Sequence, residues 1–255
     1  MNSRDIQKIY KDKGLVGLDN IGNTCYMNSI IQALRHTMSL TVFFDNIENV
    51  IRVDGHSMSF SKYINKLEIK SDRDVLIAWY ILNRKLWSTS KPSINPMKFK
   101  HALSTIWMDS IGCNQHDAQE CLIKIIDHFH EKLKDDQDIS IISASFGFKV
   151  QTNVTCPKCS YISKPDHMYY QLSLPIPMSP TELTLEILFH RFFSCDTLDD
   201  ENLYSCDGCK QQVNASTHLL PISYPRILIT HLKRFTNVGK KITTLIKFPL
   251  DKLEF

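Results

Sequence analysis

Near the amino end, Met27, Ile30, Ile31, Leu34 and Met38 recur every three or four positions, the spacing that lines one face of an α-helix. The same period predicts a helix from Asp74 to Trp87. Another begins at Asn95-Pro96, read as a cap followed by proline at the first helical position, with Phe99, Leu103, Ile106 and Trp107 on its face. The clearest helix carries Ala118, Cys121, Leu122, Ile125, Ile126, Phe129 and Leu133 on one stripe over four turns. Near residue 140 the period changes to two. Phe146, Phe148, Val150 and Val154, then Met168, Tyr170, Leu172, Leu174 and Ile176, alternate as strand residues do. One helix, about Thr184 to Phe193, interrupts these strands, and Arg226 to Phe235 reads as a strand buried on both faces at its start. Helices first and strands second predict an α+β chain.

Composition adds exclusions. With 255 residues, 43% hydrophobic and 22% charged, the chain can bury a sizeable core. Its net charge of +3 comes from 30 basic and 27 acidic residues mixed along the sequence, with no basic stripe, so no nucleic-acid partner is expected. Charges occupy the amino end where a signal peptide has its apolar run, and no stretch reaches about 18 unbroken apolar residues, so no membrane association is expected. The expected location is intracellular, cytoplasm or nucleus, and that of a host cell if the chain is viral, a source suggested only by its wealth of isoleucine and lysine. Oligomeric state is not readable from the sequence.

Eight cysteines are distributed unevenly. Cys156-Pro-Lys-Cys159 and Cys206-Asp-Gly-Cys209 each have the two-residue spacing that lets one turn present two sulfurs to an ion. Two such knuckles around a strand-rich segment predict a closed four-thiolate site for one structural zinc, in a reducing compartment. A zinc ribbon also occurs in nucleic-acid binders, which the dispersed basic charge disfavours. Cys113, Cys121 and Cys195 fall in no pattern and read as plain core or surface residues.

Cys25 is different, because a loop carrying Asn20, Gly22 and Asn23 leads up to it and directly into the first amphipathic helix. Unpaired amides at a helix start favour a thiolate. That field is worth roughly 0.3–1 kcal/mol, which lowers a thiol pKa by less than about one unit, so a base such as histidine must complete activation. An arbitrary cysteine is more often a small buried hydrophobe. Here the glycines and asparagines favour a loop that passes close to a substrate, and the Asn20 amide is a candidate oxyanion donor. Asp117 and Glu120 lie three apart at the start of a helix and share one face; helix capping accounts for them as readily as ligand binding.

The segment GLDNIGNTCYMNSIIQAL, residues 17–34, resembles the cysteine box of the ubiquitin-specific proteases, and Gln115-His-Asp-Ala-Gln-Glu-Cys-Leu122 resembles the block that opens a helix in the same family. The resemblance implies a papain-like fold: thumb at 14–139, zinc-ribbon fingers at 140–225, and the first strands of an incomplete palm sheet at 226–255. It implies deubiquitinase activity with Cys25 as nucleophile and Asn20 as oxyanion-hole residue. Asp117 and Glu120 would bind the arginine-bearing tail of ubiquitin, and ubiquitin or ubiquitinated proteins would be the partners. His116 matches a polar motif position and is read as structural.

Leu228 to Phe235 and Ile246 to Leu250 resemble the palm strands that precede the family's histidine box. All ten histidines lie upstream of the position that the resemblance gives the base, and His231 matches a strand position. A fragment of a longer enzyme, a shortened homologue that binds ubiquitin without turnover, and one half of a split protein are the three expectations.

Overall fold

The computed structural model describes residues 10–11, 13–46, 50–53, 56–59, 61–62, 74–177, 182–198, 202–236, 238–251 and 253. It falls into two compact units, Met1–Ala144 and Ser145–Phe255. In the first, β1 (Gly17–Leu18) precedes α1 (Cys25–Arg35) and α2 (Met38–Asp45), followed by the hairpin of β2 (Val50–Val53) and β3 (His56–Ser59). Then come α3 (Val75–Ser88), β4 (Ser93–Ile94), α4 (Met97–Leu103) and α5 (Ala118–Leu133), with β4 pairing in parallel with β1.

The helices are amphipathic and bury the faces their period marks. Met27, Ile31 and Leu34 of α1 are buried, as are Cys121, Leu122, Ile125, Ile126, Phe129 and Leu133 of α5. Edge-to-face rings join the elements: Trp79 lies 5.7 Å from Phe129, 6.1 Å from Phe99 and 6.3 Å from Phe44. Such pairs add specificity beyond the area they bury. Arg35 is also nearly inaccessible, and it is tolerated because its guanidinium donates to the carbonyls of Val16 at 3.1 Å, Leu86 at 3.3 Å and Gly14. That side chain fastens the strand before the Cys25 loop to the end of α1.

Two helical expectations are corrected. Met38 does not extend α1, which stops at Arg35; Thr37 turns extended at ψ 95 and starts α2 instead. Asn95 still caps, with Oδ1 accepting from the Met97 amide at 2.9 Å, but Pro96 is the boundary residue and the helix ends at Leu103, leaving Ile106 and Trp107 beyond it.

The short helix α6 (Ile141–Phe146) runs across the division between the units, so Phe146 is helical rather than the first strand residue. The second unit then builds one larger sheet in the order β10 (Asp196–Thr197), β13 (Ser216–Pro221), β5 (Phe148–Thr155), β6 (Ile162–Ser163), with β7 (Asp166–Tyr169) also paired to β5. Separate two-stranded sheets pair β8 (Leu172–Pro175) with β14 (Thr230–Lys233), β9 (Leu183–Thr184) with β15 (Ile246–Lys247), and β11 (Tyr204–Ser205) with β12 (Gln212–Val213). Helix α7 (Leu185–Phe193) packs Leu188 and Phe189 into a core with Phe148, Val150, Leu172, Leu174 and Ile176.

The alternation from Met168 to Ile176 hides a break, because β7 ends at Tyr169 and β8 starts at Leu172, and Met168 is half exposed. The strand expected from Arg226 is likewise shorter. Residues 226–229 are irregular and only partly covered, since Pro225 interrupts the backbone and the Ile227 amide donates to Ser145 while the Ile229 carbonyl receives Leu172.

Candidate active site and metal centre

Cys25 is the first residue of α1, and its side chain is exposed. The loop before it is held by asparagine side chains. Asn20 Oδ1 accepts from the Thr24 amide at 3.0 Å and from the Thr24 hydroxyl at 3.2 Å, and Thr24 itself is fully buried. Because the Asn20 carbonyl oxygen is committed, the exposed end of that side chain presents its NH₂ as donor. Asn28, one turn into α1, donates to the Asp19 carbonyl at 3.0 Å and pins the loop to the helix. Gly22 at φ 101 and Asn23 at φ 51 supply the two left-handed residues that the sharp entry into α1 requires.

A contact that the sequence did not reveal supports the same loop. Cys113 Sγ sits 2.8 Å from where a Cβ on Gly22 would lie, and the Cys113 carbonyl accepts from Asn23 Nδ2 at 2.8 Å. Thr24 and Asn28 lie within the 17–34 motif, although no sequence pattern singled out their roles; Cys113, some 90 residues away, had no local signal.

Asp117 caps α5, its Oδ1 accepting from the Gln119 amide at 2.7 Å, which leaves the second carboxylate oxygen uncommitted by the cap. Glu120 lies in the first turn of the same helix, and both residues are exposed. The cap therefore coexists with an exposed acidic face at the start of α5. His116 is placed by packing: its ring meets Tyr26 at 5.1 Å and Trp107 at 5.0 Å, both edge-on. His231 Nδ1 pairs with Ser173 Oγ at 3.2 Å across β14 and β8. Cys121 is wholly buried, and burial together with Glu120 pushes its thiol up to about 12.

In the second unit Cys156, Cys159, Cys206 and Cys209 gather with all four sulfurs within 4.8 Å of one another. The cross-knuckle distances are 3.9 Å for Cys156 to Cys209 and 3.6 Å for Cys159 to Cys206. A tetrahedron with metal–sulfur bonds of about 2.3 Å has edges of about 3.8 Å, so the cluster has the size of a four-thiolate metal site. The two knuckles share one backbone plan. The Ser160 amide donates to the Cys156 carbonyl and the Cys156 amide to Tyr161; likewise Lys210 donates to Cys206 and Cys206 to Gln211. Ser160 at φ 59 and Lys210 at φ 55 close the two turns.

Burial alone would raise the Cys156 thiol, but backbone amides of Cys159 and Lys158 and the neighbouring thiols outweigh it and bring it to about 7. For Cys159 the Tyr161 amide acts downward, and burial with the three adjacent thiols raises it to about 11. Four thiols this close resist losing all their protons together, and a bound cation removes that conflict. The surrounding apolar residues are few: Val154, Val213 and Ala215 are buried with Cys156 and Cys206. Among the described residues these cysteines form the one group able to hold a metal ion. No helix among the described residues is long and apolar enough to cross a membrane.

A helical unit with a cysteine at a helix start is joined in sequence to a strand-rich unit with a four-cysteine cluster, an α+β arrangement. The family model described as ubiquitin carboxyl-terminal hydrolase matches residues 16–255, and the chain belongs to that family. Ubiquitin carboxyl-terminal hydrolase Usp2 of Drosophila melanogaster is 28% identical over 272 residues, a match covering 96% of this chain and 27% of that protein. Ubiquitin carboxyl-terminal hydrolase 2 of Homo sapiens is 28% identical, covering 100% of this chain and 45% of that protein, and its Gallus gallus counterpart is 30% identical, covering 95% and 74%. The chain thus spans from about a quarter to three quarters of these relatives. Among solved structures, the SAGA Ubp8/Sgf11/Sus1/Sgf73 DUB module bound to ubiquitin aldehyde superposes with a TM-score of 0.72 at 22% identity, covering 94% of this chain and 52% of that one. The shared fold is that of the family.

Proposed function

We propose that the chain carries the nucleophile-bearing part of a deubiquitinating thiol hydrolase, which cleaves the bond after the carboxyl-terminal glycine of ubiquitin through an acyl-enzyme on Cys25. The observation that carries this reading is the exposed Cys25 thiol at the first position of an eleven-residue helix, directly after Thr24, whose amide engages the Asn20 side-chain oxygen. In this reading the thiolate attacks the carbonyl carbon, and the Asn20 NH₂ donates to the oxyanion as it forms. Removing one such donor costs about 2.7–4 kcal/mol in a comparable protease. Asp117 and Glu120 pair with the arginines of the ubiquitin tail by charge-assisted hydrogen bonds, Asp117 through the oxygen that its cap leaves available. In the same reading residues 14–139 form the thumb, 140–225 the fingers and 226–255 the first palm strands, and the protein acts inside cells.

Zinc fits the four-cysteine cluster by donor type and spacing. Bound there by Cys156, Cys159, Cys206 and Cys209 it supplies structural closure and no catalysis, because four protein thiolates leave no open coordination position. The residues of the fingertip then have a fixed shape despite their small apolar core.

Ubiquitin bearing a carboxyl-terminal thiol-reactive warhead tests the main reading. A covalent adduct on Cys25, lost in Cys25→Ala, is expected; no adduct on this residue overturns the assignment. A second reading, ubiquitin binding without turnover, is favoured by the engagement of His116 with aromatic rings and of His231 with Ser173. It predicts saturable ubiquitin binding that persists in Cys25→Ala with no cleavage by the unmodified chain.

A further inference from the structure

We propose that Cys113 is the resolving thiol of a reversible Cys25–Cys113 disulfide, which makes the loop around Gly112 a redox modification site beside the nucleophile. The inference rests on the assignment of Cys25 as a reactive thiol made above. Both cysteines are free, exposed and in the same unit. Cys113 does not merely share a surface with the Cys25 loop; its sulfur rests against Gly22, 2.8 Å from the position of a missing Cβ, and its carbonyl holds Asn23. Cys25 follows Gly22 by three residues, a span of at most about 10 Å of chain.

A disulfide requires Cα atoms about 4.4–6.8 Å apart. The 111–115 stretch is the element able to complete that approach, since every residue in it is exposed. Gly112 lies at φ 91, a conformation open to glycine, and space for a Cβ there is empty, while its carbonyl is held by Lys100 Nζ, a hydrogen bond that the movement would have to release. Gly22 also offers no side chain to block the sulfur as it swings toward the helix start. The other thiols are placed differently: Cys121 is buried, Cys156, Cys159, Cys206 and Cys209 are gathered in the second unit, and Cys195 also belongs to that unit.

Hydrogen peroxide is the oxidant. The Cys25 thiolate attacks one peroxide oxygen, the O–O bond breaks, and the departing hydroxide takes a proton to become water, leaving Cys25 as a sulfenic acid. The Cys113 sulfur then attacks the Cys25 sulfur. The S–S bond forms, the S–OH bond breaks, and the hydroxide leaves with the Cys113 proton as a second water. Two thiols are oxidised by two electrons in total and one peroxide is reduced to two waters. The product withholds the nucleophile from acyl transfer and shields it from irreversible sulfinic acid, and a dithiol restores it.

The test treats the reduced full chain with hydrogen peroxide, blocks remaining thiols with N-ethylmaleimide, and maps unreduced peptides by mass spectrometry. Expected is a peptide pair joining Cys25 to Cys113, two hydrogens lighter than its parts, which dithiothreitol separates. In Cys113→Ser the pair is absent and Cys25 accumulates as sulfinic or sulfonic acid. Recovery of Cys25 in the unmodified chain only as those acids, or joined to a different cysteine, overturns the proposal without requiring any variant to fold. Labelling of the reduced chain by the ubiquitin warhead reads the nucleophile assignment separately. A labelled chain with no linked peptide removes the disulfide and keeps the nucleophile, whereas an unlabelled chain removes the nucleophile whatever the disulfide map shows.

Discussion

The helical unit and the fingertip of the strand-rich unit solve one problem by different means. In the first, helices deliver Phe44, Trp79, Phe99 and Phe129 to a shared interior, and the buried Met27, Ile31 and Leu34 anchor the helix that begins at Cys25. Around the knuckles the buried set among the described residues is Val154, Cys156, Cys206, Val213 and Ala215, with paired strands as short as two residues. So small an apolar cluster does little to offset the ordering of the turns around it, a task that ligation of a metal ion by the four thiols would take over. The Cys25 helix therefore rests on packing, whereas the four-cysteine turns have the donors to rest on a metal ion.

Cys156→Ser breaks that contrast most severely. Bound zinc is expected to fall from one per chain to none by metal analysis, and limited proteolysis is expected to cut within 156–213 while the helical unit resists. Equal resistance of both units would mean that the fingertip holds itself together. Phe129→Ala attacks the other side, since it removes a fully buried ring that meets both Phe44 and Trp79. A loss of about 3–5 kcal/mol in denaturant unfolding of the helical unit is expected, with zinc content unchanged. Arg35→Met sharpens the comparison with the smallest effect. It keeps much of the buried volume but leaves the carbonyls of Val16 and Leu86 without their donor, for an expected loss of about 1–3 kcal/mol. Slower warhead labelling should accompany it, because Arg35 tethers the strand that leads to the Cys25 loop.

Much of this was written in local patterns. The period of Met27, Ile31 and Leu34 marked α1, and Cys25 stands where its first turn begins because the preceding loop residues cannot continue a helix. Asp74 and Asp117 are caps whose carboxylates accept from amides two or three residues on, an interaction contained within a few neighbouring residues. The two C-x-x-C spacings announced the knuckles for the same reason. Periodicity failed where neighbours could not decide: Phe146 suits a strand or a helix by pattern alone, and the unbroken alternation through Tyr170 gave no sign that β7 pairs with β5 while β8 pairs with β14.

What the chain determined alone is therefore whatever a turn of helix, a pleat or a knuckle settles within a few residues. Tertiary structure decided which distant segments meet. It brought Cys113 against Gly22, set the Cys156 knuckle opposite the Cys206 knuckle, and paired Thr230–Lys233 with Leu172–Pro175. Such meetings depend on the loss of chain entropy over tens of residues being recovered by burial or ligation elsewhere. Neither partner's own sequence records that balance.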